Sequence, residues 1–211
     1  MNKSLDDWSN LFYSGAMNTK LHDTRQHILD VGYQLVVSKG FTSVGLAQLL
    51  NTAHVPKGSF YHYFKSKEQF GEALIQDYFC NYLQKLDELF NDTSQSAYQR
   101  LLTYFTRWQE TENGTCNANR CLVVKLSAEV SDLSESMRLA LADGARKITT
   151  AMAQVIEQGI KDGSIQVENS HDCAIDIYNM WIGASVLHKL YQDAQGLERC
   201  LNSTKARLGQ K

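Results

Sequence analysis

Proline is almost missing from this sequence: Pro56 is the only one in 211 residues, and the thirteen glycines are scattered rather than clustered. A sandwich or barrel of short strands needs many more turns than that, so long helices are predicted instead. Long apolar runs are missing too. No stretch approaches the ~20 apolar residues of a membrane span, and the N-terminus lacks the apolar core of a signal peptide, so no membrane partner and a cytoplasmic setting are expected. Cysteines are few and odd in number. Cys80, Cys116, Cys121, Cys173 and Cys200 stand at irregular spacing, which excludes a secreted disulfide framework and leaves them as thiols. Cys116 and Cys121 could form half a metal site, yet no second pair or histidine cluster completes four ligands, and no metal or other cofactor is expected. What the chain does have is apolar material, 43% of its residues, enough for a packed core.

A net charge of −2 hides an asymmetry. Residues 20–67 carry six cations (Lys20, Arg25, Lys39, Lys57, Lys65 and Lys67) against Asp23 and Asp30, whereas residues 68–211 hold fourteen cations and nineteen acids. A compact basic module on a larger acidic body suits an anionic polymer as partner, because phosphate neutralisation supplies most non-specific affinity.

Residues 1–22 show no sustained period and read as a loose arm, in which Met17 looks like a natural start and the residues before it dispensable. Helical pattern follows. Asp23 or Thr24 can cap a first helix with Ile28, Val31, Leu35 and Val36 on one face, stopped by Gly40. Thr42 or Ser43 can cap a second, with Leu46, Leu49 and Leu50 inward. The turn Ala53-His54-Val55-Pro56 opens a third helix from Lys57 to Phe64, since proline suits a first helical position. A fourth runs from Ser66 or Lys67 to Phe90. Five more are expected at about 97–111, 120–130, 134–162, 171–193 and 196–208. The span Cys173 to Tyr191 is apolar on more than one face and so is central in its domain or packed on a partner subunit.

Two short helices joined by a tight turn make a helix-turn-helix pattern, whose second helix can enter a major groove. Phe60 and Phe64 share one face of that helix, while Lys57, Ser59, Tyr61 and His62 point away and Gly58 permits close backbone approach. The pattern alone fits equally well an ordinary helical corner with a solvated polar face.

The stretch LAQLLNTAHVPKGSFYHYFKSKEQF at 46–70 resembles the signature of the TetR family of repressors, and the likeness extends over residues 22–208. It implies an all-α fold: a helix-turn-helix DNA-binding domain at 23–66, after the arm at 1–22, and an effector-binding and dimerising bundle at 67–211. It also implies a regulator rather than an enzyme, a homodimer reading a palindromic operator in double-stranded DNA, and a small-molecule or electrophilic inducer. Carried over to this sequence, Thr42, Lys57, Gly58, Ser59, Tyr61, His62 and Lys67 are the candidate DNA contacts. Tyr61-His62-Tyr63 stands where many members have tyrosine-tyrosine-histidine.

In the body, CLVVKLSAEVSDLSESMR at 121–138, DGARK at 143–147 and WIGASVLHK at 181–189 are similar to an electrophile-responsive subgroup of that family. Cys121 is then the candidate sensing thiol. It lies near the start of a predicted helix, beside Arg120 and one turn before Lys125, where positive charge favours the thiolate. Lys189 is a second cation of interest, because an ammonium there could meet an oxidised sulfur. Ser131 stands where a second cysteine might be looked for, so a disulfide within this helix is not expected. The plain alternative is that Cys121 packs as a small hydrophobe and Lys189 snorkels to water. Tyr82, Phe105, Trp108, Met152, Tyr178 and Trp181 supply aromatic and apolar material for an effector cavity, or for ordinary core. An enzyme with Cys121 as nucleophile and His171 or His188 as base lacks any feature tying a histidine to the thiol.

Overall fold

The computed structural model describes residues 24–112 and 115–209; the arm at 1–22, Asp23 as a cap and Met17 lie outside them. The described residues are helical apart from loops and one very short strand pair. They form two compact units, one built from the described residues up to Tyr82 together with Lys125–Gly144, the other from the described residues of Leu83–Val124 together with those from Ala145 onward.

In the first unit, α1 spans Thr24–Lys39, α2 Leu46–Ala53 and α3 Lys57–Tyr63, and the start of α4 (Lys67–Phe90) follows. Gly40 ends α1 in the left-handed region, at φ +86°, and its N–H donates to the Val36 carbonyl at 2.8 Å. The start of α2 differs from the expectation. Its N-cap is Gly45, with no side-chain cap, so neither Thr42 nor Ser43 caps it; both fall in the turn before the helix, where Thr42 has another partner. The α2–α3 turn closes with His54 in the left-handed region at φ 54°, and the His27 ring nitrogen Nε2 meets the Ala53 carbonyl at 2.9 Å, tying α1 to the end of α2.

The core of this unit is aromatic. Phe60, Phe64 and Phe70 are buried, with ring centroids 5.2 Å apart for Phe60–Phe64, 5.7 Å for Phe60–Phe70 and 5.3 Å for Phe64–Phe70. Gly32 on α1 is required by that cluster: a Cβ there would lie 2.3 Å from Cζ of Phe70.

In the second unit, α5 (Ala97–Gln109) opens on a capping box between Ser96 and Gln99. Between α5 and the next helix lies a strand pair that was not expected, β1 (Thr111–Glu112) antiparallel to β2 (Thr115–Cys116), and the helix expected at about 120–130 begins later, as α6 at Leu122–Val130, after a 3-10 turn at Asn117–Arg120. α7 is Glu135–Asp162, α8 Ser170–Tyr191 and α9 Gln195–Arg207. The Asn169 side chain caps α8 by accepting from the N–H groups of His171 and Asp172. α8 packs along α9, and the buried Trp181 indole N–H donates to Thr204 Oγ1 at 2.9 Å. No described helix is long and apolar enough to cross a membrane.

Phe60→Ala should cost about 3–5 kcal/mol through the cavity it leaves among Phe64 and Phe70; urea denaturation is expected to show a lowered midpoint with little change in m.

Candidate functional site

The seven residues of α3 divide cleanly. Phe60 is fully buried, while Lys57, Gly58, Tyr61 and His62 are exposed and Ser59 is half-buried. A helix only two turns long thus hangs on one phenylalanine and offers a lysine, a phenol and an imidazole outward. Lys57 Nζ lies 5.8 Å from the Tyr61 ring centroid, and the Tyr61 ring stands edge-on to Phe60 at 5.4 Å, so neither outward side chain is unsupported. Gly58 is not required by the protein's own interior, since a Cβ there would meet nothing within 4 Å. A glycine kept in open space on the outer face leaves room for another molecule's backbone.

Lys67 is placed differently from the others. It is half-buried at the start of α4, its ammonium donating to the Thr42 carbonyl at 3.3 Å and lying 4.7 Å from the Phe41 ring centroid. It braces the α1–α2 turn. Thr42 itself is exposed, and its N–H donates to Glu129 Oε1 at 2.5 Å while its hydroxyl donates to the same oxygen. Phe41 N–H donates to Glu129 Oε2 at 3.0 Å. Burial pushes the Glu129 carboxyl up, but the hydrogen bonds from Thr42 and Phe41 and the charge of Lys125 together outweigh it and hold the group below its ordinary value. Lys125, expected to serve Cys121, acts on this carboxylate. Sequence reasoning missed Glu129 because its partners lie 87 and 88 positions away.

Cys121 follows the 3-10 turn and immediately precedes α6, at that helix's N-terminal end, and it is 2% exposed. The turn before it packs on α8. There Tyr178 is buried, its hydroxyl without a hydrogen-bond partner, and its pKa is held well above the ordinary value by burial first and then by the charges of Cys121 and Tyr104. Cys116 is anchored elsewhere, its buried thiol donating to the Trp108 carbonyl at 3.3 Å; burial pushes that thiol up, against the Ala118 and Asn119 amides and Arg120. Arg120 is thus a neighbour of Cys116. Lys189 is exposed near the end of α8, and the His188 Nδ1 meets the Asp193 carbonyl at 2.5 Å.

Trp108 and Trp181 are packed with Phe105. The Phe105 and Trp181 rings stack at 4.7 Å and Trp108 meets Trp181 edge-on at 5.8 Å. Trp108 Nε1 is buried without a hydrogen-bond partner, in contrast to the Trp181 indole on Thr204. Among the described residues no group of three or more His, Cys, Asp or Glu side chains gathers to hold a metal.

The first unit matches, over residues 28–74, the model of bacterial regulatory proteins of the tetR family. Residues 97–204 match the tetracyclin repressor-like C-terminal domain. The HTH-type transcriptional repressor NemR of Escherichia coli K12 is 41% identical over 87% of this chain and 93% of its own length. The transcriptional regulator AcuR of Cereibacter sphaeroides is 34% identical over 80% and 75%, and the repressor DhaR of Mycobacterium sp. GP1 30% over 84% and 88%. Among solved structures, the reduced form of E. coli NemR superposes with a TM-score of 0.85 at 41% identity, covering 90% of this chain and 99% of that one, and the regulatory protein TetR from Rhodobacter sphaeroides with a TM-score of 0.79 at 28% identity, covering 88% and 99%. With both parts of the architecture matched in order along most of its length, the chain belongs to the TetR family of bacterial regulatory proteins.

Proposed function

We propose that the protein is a transcriptional repressor that binds operator DNA through α3 and is released from it by a small-molecule or electrophilic signal sensed at residues 67–211, with residues 23–66 as the DNA-binding domain. The observation that carries this reading is the outward face of α3: Lys57, Gly58, Tyr61 and His62 exposed on a helix fixed from behind by the wholly buried Phe60. A groove-reading helix needs this division, an immovable back and a polar front whose side chains reach base edges and phosphates. Ser59, Thr42 and Lys67 complete the proposed contact surface. Mobility shift with genomic fragments tests the reading, a specific fragment being retarded at moderate salt. Tyr61→Ala and Lys57→Ala are expected to weaken binding to that fragment without lowering thermal stability, and Lys57→Ala should reduce the slope of log K against log salt by about 0.9, the share of one phosphate contact.

The same repressor is proposed to act as a homodimer through α8 and α9. The side of α8 turned away from its own unit carries Val186, Leu187, Leu190 and Tyr191, all exposed, with Leu190 at 69% and Tyr191 at 64%. A groove of about 600 Å³ beside it is lined by Met180, Gly183, Leu187, Tyr191 and Arg199. Apolar side chains in this density on one surface suit a second copy, and two recognition helices spaced by about 34 Å or a little more then call for a palindromic operator. Sedimentation equilibrium should give a dimer at micromolar concentration, with Leu190→Glu shifting it toward monomer.

Cys121 is proposed as the sensing thiol. Its place at the N-terminal end of α6 favours the thiolate, and the Tyr178 hydroxyl is a donor without another partner. Trp108 and Trp181 are proposed as the aromatic wall of the effector site, Lys125 and Lys189 as its neighbouring cations. N-ethylmaleimide should lower operator affinity of the parent at least tenfold and leave Cys121→Ser bound. The exposed Cys80 reacts in both proteins, so equal release of both would remove Cys121 from this role.

A further inference from the structure

The α1–α2 turn is built as an anion seat. Gly40 takes a left-handed conformation, and the next two residues, Phe41 and Thr42, direct consecutive backbone N–H groups at the two oxygens of one carboxylate. Successive amides after such a residue form a concave nest that holds anions. The Thr42 hydroxyl adds a third donor, and Lys67 stands over the same turn. In this structure the occupant is the protein's own Glu129, each carboxylate oxygen on one amide and Oε1 also on the hydroxyl. The fit is close on the side of Gly40, where a Cβ would lie 3.0 Å from Glu129 Oε2.

We propose that Glu129 is an internal competitor for operator phosphate: its carboxylate fills from α6 the seat that a DNA phosphate takes at Phe41 and Thr42 when the helix-turn-helix docks. This rests on the reading of α3 as a DNA reader. An amide N–H and a hydroxyl each have a single hydrogen to give, and here both hydrogens of Thr42 are given to Glu129. A phosphate at the same donors would sit within a few ångströms of a carboxylate, and two anions so placed repel, the more strongly where they are partly buried. Clasp and phosphate contact therefore exclude one another. Because Glu129 is carried by α6, a shift of that helix presents the carboxylate or withdraws it, and operator affinity follows.

The full-length protein tests this with a labelled duplex taken from a genomic fragment that the parent retards. Glu129→Ala should bind that duplex about tenfold more tightly, as expected from freeing one charge-assisted contact, and Glu129→Gln, which keeps the acceptor without the charge, should fall between. Replacing Thr42 by Val in the Glu129→Ala background should remove most of the gain. In parallel, amide NMR shifts of Phe41 and Thr42 should titrate saturably with inorganic phosphate in Glu129→Ala and not in the parent. Unchanged or weaker binding by folded Glu129→Ala and Glu129→Gln, with Lys57→Ala still weakened, overturns the competitor and leaves the DNA-reading assignment standing. Undiminished binding by Lys57→Ala overturns that assignment and the competitor with it.

Discussion

A helix of seven residues has almost no stability of its own in water, because nucleation fixes several residues before propagation adds enough hydrogen bonds. α3 persists because Phe60 is wholly buried against Phe64 and Phe70. Everything the outer face of α3 can do depends on that contact. Gly32 belongs to the same constraint, since its missing Cβ is what lets the Phe70 ring lie against α1. The geometry of that outer face is an outcome of aromatic packing behind it, worth about 0.5–1.5 kcal/mol per ring pair beyond the area buried.

Charge is used close to where it is needed rather than spread over the surface. Lys67 and Glu129 both converge on the two-residue stretch Phe41-Thr42, one on a carbonyl and the other on N–H and hydroxyl groups. A turn held from both sides is more rigid than its sequence would make it, and its donors are already directed at an anion. In the second unit the polar groups are handled differently. Trp181 donates to Thr204, which ties α8 to α9, and the Ser185 hydroxyl is satisfied within α8 by the Trp181 carbonyl, whereas Trp108 Nε1 and the Tyr178 hydroxyl are buried without partners. Each such group is destabilising by roughly 1–3 kcal/mol, and an incoming acceptor would relieve that cost.

Most of the helices were legible in the residues alone, because three- and four-residue apolar periods and their punctuation are local signals: Gly40 after α1, Pro56 before α3. The inward and outward faces of α3 were legible for the same reason, helical spacing being enough to separate Phe60 and Phe64 from Lys57, Tyr61 and His62. The two-sided apolar pattern of α8 also survived, one side buried at Ile177 and Trp181 and the other exposed at Leu187 and Leu190. Local signals failed where two local solutions compete. A threonine and a serine before α2 look like caps, yet Gly45 takes that position, and the residues around Cys116 pair as strands although nothing near them alternates.

The sequence by itself determined the helices, the two faces of α3 and the cysteine at the head of α6, since each is a matter of spacing within a few turns; the regulator was implied by the resemblance of residues 46–70 and not by spacing. Only the tertiary structure decided which charges meet. Glu129 reaches Thr42 across 87 positions, Lys125 acts on that carboxylate, Arg120 neighbours Cys116, and Tyr178 feels the charge of Cys121. The reason is physical: hydrogen bonds and charge pairs depend on distances of a few ångströms in space, and those distances are set by how helices pack, not by how far apart their residues stand along the chain.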